Sequence, residues 1–291
     1  MKRVISCILF LLVICNFIQA SYKFDVLSVE GYAKGYAITA DKCGLESVLK
    51  NPAGVSLLES VTFLTSYSSF FDDFYQGVHL AAGLPINDTM SLAITIPARV
   101  VSGIPETIDN GGRAEQVGSF QDLDAALMFT TGLKILPDLY CGLNTNYYYH
   151  KLYTQKGTGW GFDFGFLYDI NYDVTLGASI QNMGNTKIKW STGHQDTFSQ
   201  IVNVGLKYKW GQYLQFLADT SISQGKTELN LGAEKTLEEI LSIYFGVQNI
   251  GKEARIGAGA SLLLENLDIN YAYSQHMYLG SVHKLSLGMR I

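Results

Sequence analysis

Trp160-Gly161-Phe162-Asp163-Phe164-Gly165-Phe166-Leu167-Tyr168-Asp169 decides the fold. Its bulky residues recur at every second position, with Gly161, Asp163, Gly165 and Asp169 between them and only Leu167 out of step. Successive side chains of a β-strand point to opposite faces, so this stretch is a strand with one apolar and one polar face. The same period continues outward along the chain. Tyr172, Val174, Leu176, Ala178 and Ile180 alternate with polar or small residues, as do Val202, Val204, Leu206, Tyr208 and Trp210. The last residues repeat it, with Leu285, Leu287, Met289 and Ile291 against Lys284, Ser286, Gly288 and Arg290.

A soluble barrel turns its apolar face inward, whereas a membrane barrel turns it to lipid and keeps the polar face inside. Three features favour lipid. The alternating stretches are long. Aromatics gather near their ends (Tyr147, Tyr149, Tyr208, Trp210, Tyr271, Tyr273), where an interfacial girdle would sit. The chain also opens with Met1-Lys2-Arg3, an apolar run over 4–17 and the small residue Ala20. That is the pattern of a secretory signal peptide over residues 1–20, and its apolar run is too short to span a bilayer as a helix. No later run is long enough for a transmembrane helix, so a membrane span must be a closed barrel.

The expected class is all-β: a 14-stranded antiparallel transmembrane barrel over 61–291, behind a small N-terminal plug over 21–60. The strands are expected at 61–70, 74–84, 89–100, 119–133, 138–152, 156–169, 171–182, 197–209, 211–223, 226–235, 240–249, 252–264, 266–276 and 281–291. An even count puts both barrel ends on one side. It sorts the short turns to that side and the two longest connections, 101–118 and 182–196, to the other, as in bacterial barrels. The plug stretch lacks alternation. It holds small residues and one expected helical turn, Glu46 to Lys50, which Asn51-Pro52 ends.

Residues 31–41 (Gly31-Tyr32-Ala33-Lys34-Gly35-Tyr36-Ala37-Ile38-Thr39-Ala40-Asp41), followed by Asn51-Pro52-Ala53-Gly54, resemble the opening of the FadL-like outer-membrane barrels. Within them the likeness is closest to the PorV/PorQ group and related spirochaete proteins, and residues 268–274 and 279–287 of this chain also resemble that group's ending. The terminal Ile291 departs from the aromatic ending common in such barrels. The resemblance implies one of two functions. PorV would make the chain a docking component for exported proteins in a secretion system. FadL would make it a transporter of small hydrophobic molecules.

The rest of the sequence restricts the alternatives. The net charge is −5, which leaves no basic footprint for nucleic acid. Asp72-Asp73 with His79 is the nearest approach to an acid–base set, but no second pair accompanies it, so no enzyme is expected. His150, His194, His276 and His283 are scattered, without metal-ligand spacing, and neither a metal nor a cofactor is expected. The candidate functional residues are the plug motif Asn51, Pro52, Ala53 and Gly54, and the lumen-lining charges Asp163, Lys207, Asp219, Arg255 and Arg290. Asp122, Asp124, Glu228, Glu234 and Asp268 share that inward parity. Cys141 shares the parity of Leu139 and Leu143 and should face lipid, which argues against a bond to Cys43.

Overall fold

A computed structural model describes residues 24, 27–251, 254–276 and 279–291. The expected signal peptide, 1–20, and the first residues of the expected plug lie outside the described residues.

Sixteen strands follow in order: β1 (Thr62–Phe70), β2 (Tyr75–Asn87), β3 (Met90–Asn110), β4 (Arg113–Leu136), β5 (Leu139–Leu152), β6 (Gln155–Asp169), β7 (Val174–Gln181), β8 (Thr186–Trp190), β9 (Gln195–Phe198), β10 (Ile201–Trp210), β11 (Leu214–Ser223), β12 (Lys226–Leu237), β13 (Leu241–Gln248), β14 (Arg255–Leu264), β15 (Leu267–His276) and β16 (Gly280–Arg290). Consecutive strands pair antiparallel from β1 to β7, β10 follows β7, and the series runs on to β16. β16 then pairs with β1, from Thr62 opposite Arg290 to Phe70 opposite Val282. Fourteen strands therefore close a barrel with no free edge.

Both long connections differ from expectation. β3 and β4 run for 21 and 24 residues and stay paired to Asn110 opposite Arg113. Residues 101–118 thus form a projecting two-stranded arm, turned at Gly111 and Gly112 with φ of 64° and 84°. Its residues are exposed on both faces, so selection for one apolar face is absent and the period disappears from the sequence. Residues 182–196 contain β8 and the first half of β9, a hairpin whose β8 pairs with β6, Gly157 opposite Trp190. The outer connections are therefore built structures and not short loops.

The wall has its apolar side outward. Phe63, Leu80, Ile94, Phe162, Leu206, Phe245 and Leu287 are exposed, while Ser66, Asn144, Asn203, Asn270 and Ser286 on the other face are buried. A water-soluble protein would reverse this arrangement. No described helix is long and apolar enough to cross a membrane, so strands alone supply the crossing surface.

The N-terminal segment packs against the inward face. It holds helix α1 (Val29–Ala33) and two 3-10 helices, Gly44–Leu49 and Pro52–Leu57. Ser28 starts α1 by accepting a hydrogen bond from Gly31 N at 2.9 Å. Asn51 starts the second 3-10 helix in the same way, from Ala53 N at 3.1 Å, with Pro52 in its first turn. Helix α1 touches β13 to β16, Gly44–Leu49 touches β1 and β2, and Pro52–Leu57 touches β3 to β6. The Glu46–Lys50 turn read from the sequence overlaps the first 3-10 helix, which ends at Leu49 with Lys50 as its C-cap.

Inward glycines make this packing possible. A Cβ on Gly142 would overlap the Pro52 backbone, on Gly165 the Asn51 side chain, on Gly177 the Thr39 carbonyl, and on Gly246 the Gly35 backbone. Cys141, between inward Tyr140 and Gly142, lies on the outward face, and both described thiols are free.

Candidate functional site

The interface between the N-terminal segment and the lumen is where the chain's polar chemistry converges. On the wall formed by β5 to β7, β10 and β11, barrel side chains bond to the segment's backbone. Asn144 Nδ2 donates to Val48 O (3.1 Å), Ser179 Oγ to Lys50 O (2.7 Å) and Gln181 Nε2 to Leu49 O (2.7 Å). In return Asn51 Nδ2 donates to Phe166 O at 3.0 Å and to Thr39 O at 2.6 Å. Backbone groups that a short irregular segment leaves unmatched are satisfied here by inward amides and hydroxyls.

Two ion-pair clusters fix the segment further. Lys50 Nζ lies 2.9 Å from Asp219 Oδ2, which also accepts from Thr39 N (2.9 Å) and Thr39 Oγ1 (2.6 Å). Lys34 Nζ is surrounded by Glu30 (2.5 Å), Asp41 (2.7 Å) and Glu234 (2.6 Å), with the Tyr244 ring 4.8 Å away. Lys207 Nζ reaches Asp41 at 3.1 Å. Glu30, Asp41 and Glu234 could by themselves hold a metal, since one oxygen of each lies within 4.8 Å of the others. The Lys34 ammonium already occupies that centre, so the chain supplies its own cation.

The surroundings decide which of these groups are charged. Burial pushes the Glu30 carboxyl up to about 8, with Lys34 opposing and Asp41 and Glu234 assisting. Burial also works against ionised Asp41, but Lys34 and Lys207 outweigh it and hold that carboxyl well below the usual range. Lys34 is desolvated too, and its carboxylate neighbours raise it above its ordinary value. With Glu30 protonated at neutral pH, two lysines face two carboxylates and the buried cluster is balanced.

The residues singled out from the sequence fall in different places. Asn51 lies at the centre of the contact, Pro52 and Ala53 pack under Gly142, and Gly54 lies against Ser47. Asp163 accepts from Asn144, Asn146 and the Asn182 backbone. Lys207 and Asp219 hold the segment, as above. Arg255 is half-buried on the inward face of β14, and Arg290 is exposed at the end of β16. The structure also gathers Asp124 with Arg99 (2.5 Å) and His150 (2.6 Å), three residues that no sequence spacing links. Asp72 binds Ser281 on the outer rim, whereas His79 is sealed inside, so the acid–base set is not assembled.

The segment's own charges, Glu30, Lys34, Asp41 and Lys50, escaped the sequence reading. The one available signal was the four-residue spacing of Glu30 and Lys34.

A model of a family of unknown function (DUF5723) matches residues 56–202. No curated protein matches. Among solved structures, the CymD monoaromatic hydrocarbon channel aligns with a TM-score of 0.68 at 10% identity, over 91% of this chain and 97% of that one. A Pseudomonas aeruginosa FadL homologue aligns with 0.62 at 12% identity, over 95% and 100%. The Pseudomonas putida toluene transporter TodX aligns with 0.60 at 12%, over 94% and 98%. At such identities the likeness is one of fold, that of the FadL-like outer-membrane barrels.

Proposed function

The chain belongs to the family of unknown function DUF5723, and from that premise we propose that it is a bacterial outer-membrane channel for small hydrophobic molecules, with its N-terminal segment as the hatch. One observation carries the reading. The barrel is apolar outside, and the N-terminal segment packs against its inward face along β1 to β6 and β13 to β16, which supports an occupied lumen over an open aqueous pore. A water-filled pore suits polar solutes; an occupied lumen in a lipid-facing wall suits molecules that dissolve in the bilayer. The described neighbours include a toluene transporter and a monoaromatic hydrocarbon channel, which supports that cargo class. On this reading residues 1–20 are the export leader and 21–60 form the hatch.

A local loosening of the wall is consistent with a sideways exit. The β3–β4 ladder keeps its register from Thr95 opposite Met128 to Ala98 opposite Ala125 but lacks pairs at Ile96 and Pro97. Pro97 has no N–H to give, and a proline inside a sheet weakens its pairing.

The test is toluene entry into proteoliposomes that exclude glucose. Entry no faster than in empty liposomes would sink the reading.

A further inference from the structure

The wall opposite the ion pairs is built differently. Across β16, β1, β2 and β3 the inward face carries a belt of polar side chains: Ser286 and Ser66 opposite each other, His79 opposite Ser66, and Thr95 one step beyond on β3. Ser68 lies next to Ser66 on the same face of β1. All five are at least nine-tenths buried. The hydroxyls of Ser66, Ser68 and Thr95, and both ring nitrogens of His79, have no hydrogen-bond partner in the protein, while the Ser286 hydroxyl faces the Glu46 carboxyl. Glu46 of the inner segment faces the belt, where its carboxyl accepts from Val29 N and meets the hydroxyls of Ser28 and Ser286.

Apolar layers bound the belt on both sides. Leu27 fills the space over Gly77, in one cluster with Phe70, Tyr32 and Val282. On the other side Leu64, Ala81 and Ala93 pack with Leu45, Val48 and Val55. Buried polar atoms are ordinarily bonded, and a contiguous group of them without protein partners marks a place where a ligand's own polar atoms belong.

We propose that this belt is a binding site for a small neutral molecule with an apolar body and a hydrogen-bonding head, of the class of the phenols. The inference deepens the passage reading, on which it rests for the way a ligand enters. A pure hydrocarbon would leave the hydroxyls and the His79 ring unmatched. A carboxylate is disfavoured because Glu46 faces the site and already answers the Lys284 ammonium, which stands opposite Ser68 under the rings of Tyr32 (4.3 Å) and Phe70 (4.5 Å). A sugar would find only one polar wall. Hydroxyls and a neutral imidazole can both donate to and accept from a single phenolic O–H.

Calorimetric titration of the purified barrel in detergent tests this, with phenol, toluene and benzoate as probes. Phenol should bind saturably and about tenfold more tightly than toluene, since a site built for a hydroxyl discriminates against the analogue lacking it. Thr95→Val, which keeps the side-chain shape, and His79→Phe should each weaken phenol binding and leave toluene unchanged. Heat-dependent gel migration confirms that both variants are folded barrels. Phenol bound no more tightly than toluene, or equally well by Thr95→Val and His79→Phe, would overturn the proposal. Phenol preference without toluene passage in liposomes supports the site and sinks the passage reading; passage without phenol preference does the reverse.

Discussion

The Lys50 ammonium and the Asp219 carboxylate meet 2.9 Å apart, and their side chains are 1% and 0% exposed. Lys50 belongs to the inner segment and Asp219 to β11, so this contact ties the hatch to the wall. Removing one partner strands a buried charge, which costs about 3–5 kcal/mol. Lys50→Met should therefore release the segment in place and expose residues 24–58 to trypsin in intact proteoliposomes. Lys50→Met combined with Asp219→Asn, whose amide oxygen can still accept from Thr39, should recover much of the protection. Equal protection in wild type and Lys50→Met would show that the pair does not hold the segment.

The Lys34 cluster gives a pH dependence of known sign. Glu30 is raised from 4.5 to about 8, chiefly by burial. Between those values the seated segment keeps a proton that the released segment has lost, so seating weakens as pH rises through the window and levels off above it. Lys34, Lys207, Asp41, Glu234 and Tyr244 surround the group and set the size of the effect. Urea midpoints from about pH 5 to 9 should fall in the wild type and be flatter in Glu30→Gln.

Gly142 and Gly246 sit directly against the segment's backbone. Gly142→Val should clear the segment from its seat while the fourteen-strand wall still assembles. The variant should show heat-dependent gel migration like wild type but a larger single-channel conductance in planar bilayers. A conductance equal to wild type would mean that the wall can yield.

Phe245 and Leu287 are 51% and 41% exposed on the outward face. Arg at either position should destabilise the barrel by about 2–4 kcal/mol if it lies at the bilayer midplane. Urea titration in vesicles reads this directly. Arg at Ile108 on the projecting arm, 50% exposed, should change little, because that position stands in water.

The barrel was legible because its alternation is enforced at every strand: Phe162 must face lipid and Asp163 must not. The arm at 101–118 was illegible for the complementary reason. Ile104, Glu106 and Ile108 stand clear of the wall, and nothing constrains which face is apolar. The lumen-facing side of Lys207, Asp219 and Asp163 followed from parity, yet their partners did not. Asp219 meets Lys50 across 169 residues of chain, and no local pattern encodes that contact. The Asn51-Pro52-Ala53-Gly54 motif was visible as a turn, but its fit required Gly142 and Gly165, which alone read as ordinary small residues in strands.

The last strand closes the ring on the first, and Ile291 N donates to Val61 O at 2.9 Å. Helix α1 precedes all sixteen strands but rests on β13 to β16, the last to be made. The earliest part of the chain thus has no complete seat until the latest part has arrived. Its docking therefore has to follow the formation of β13 to β16, which makes it a late event of large loop closure.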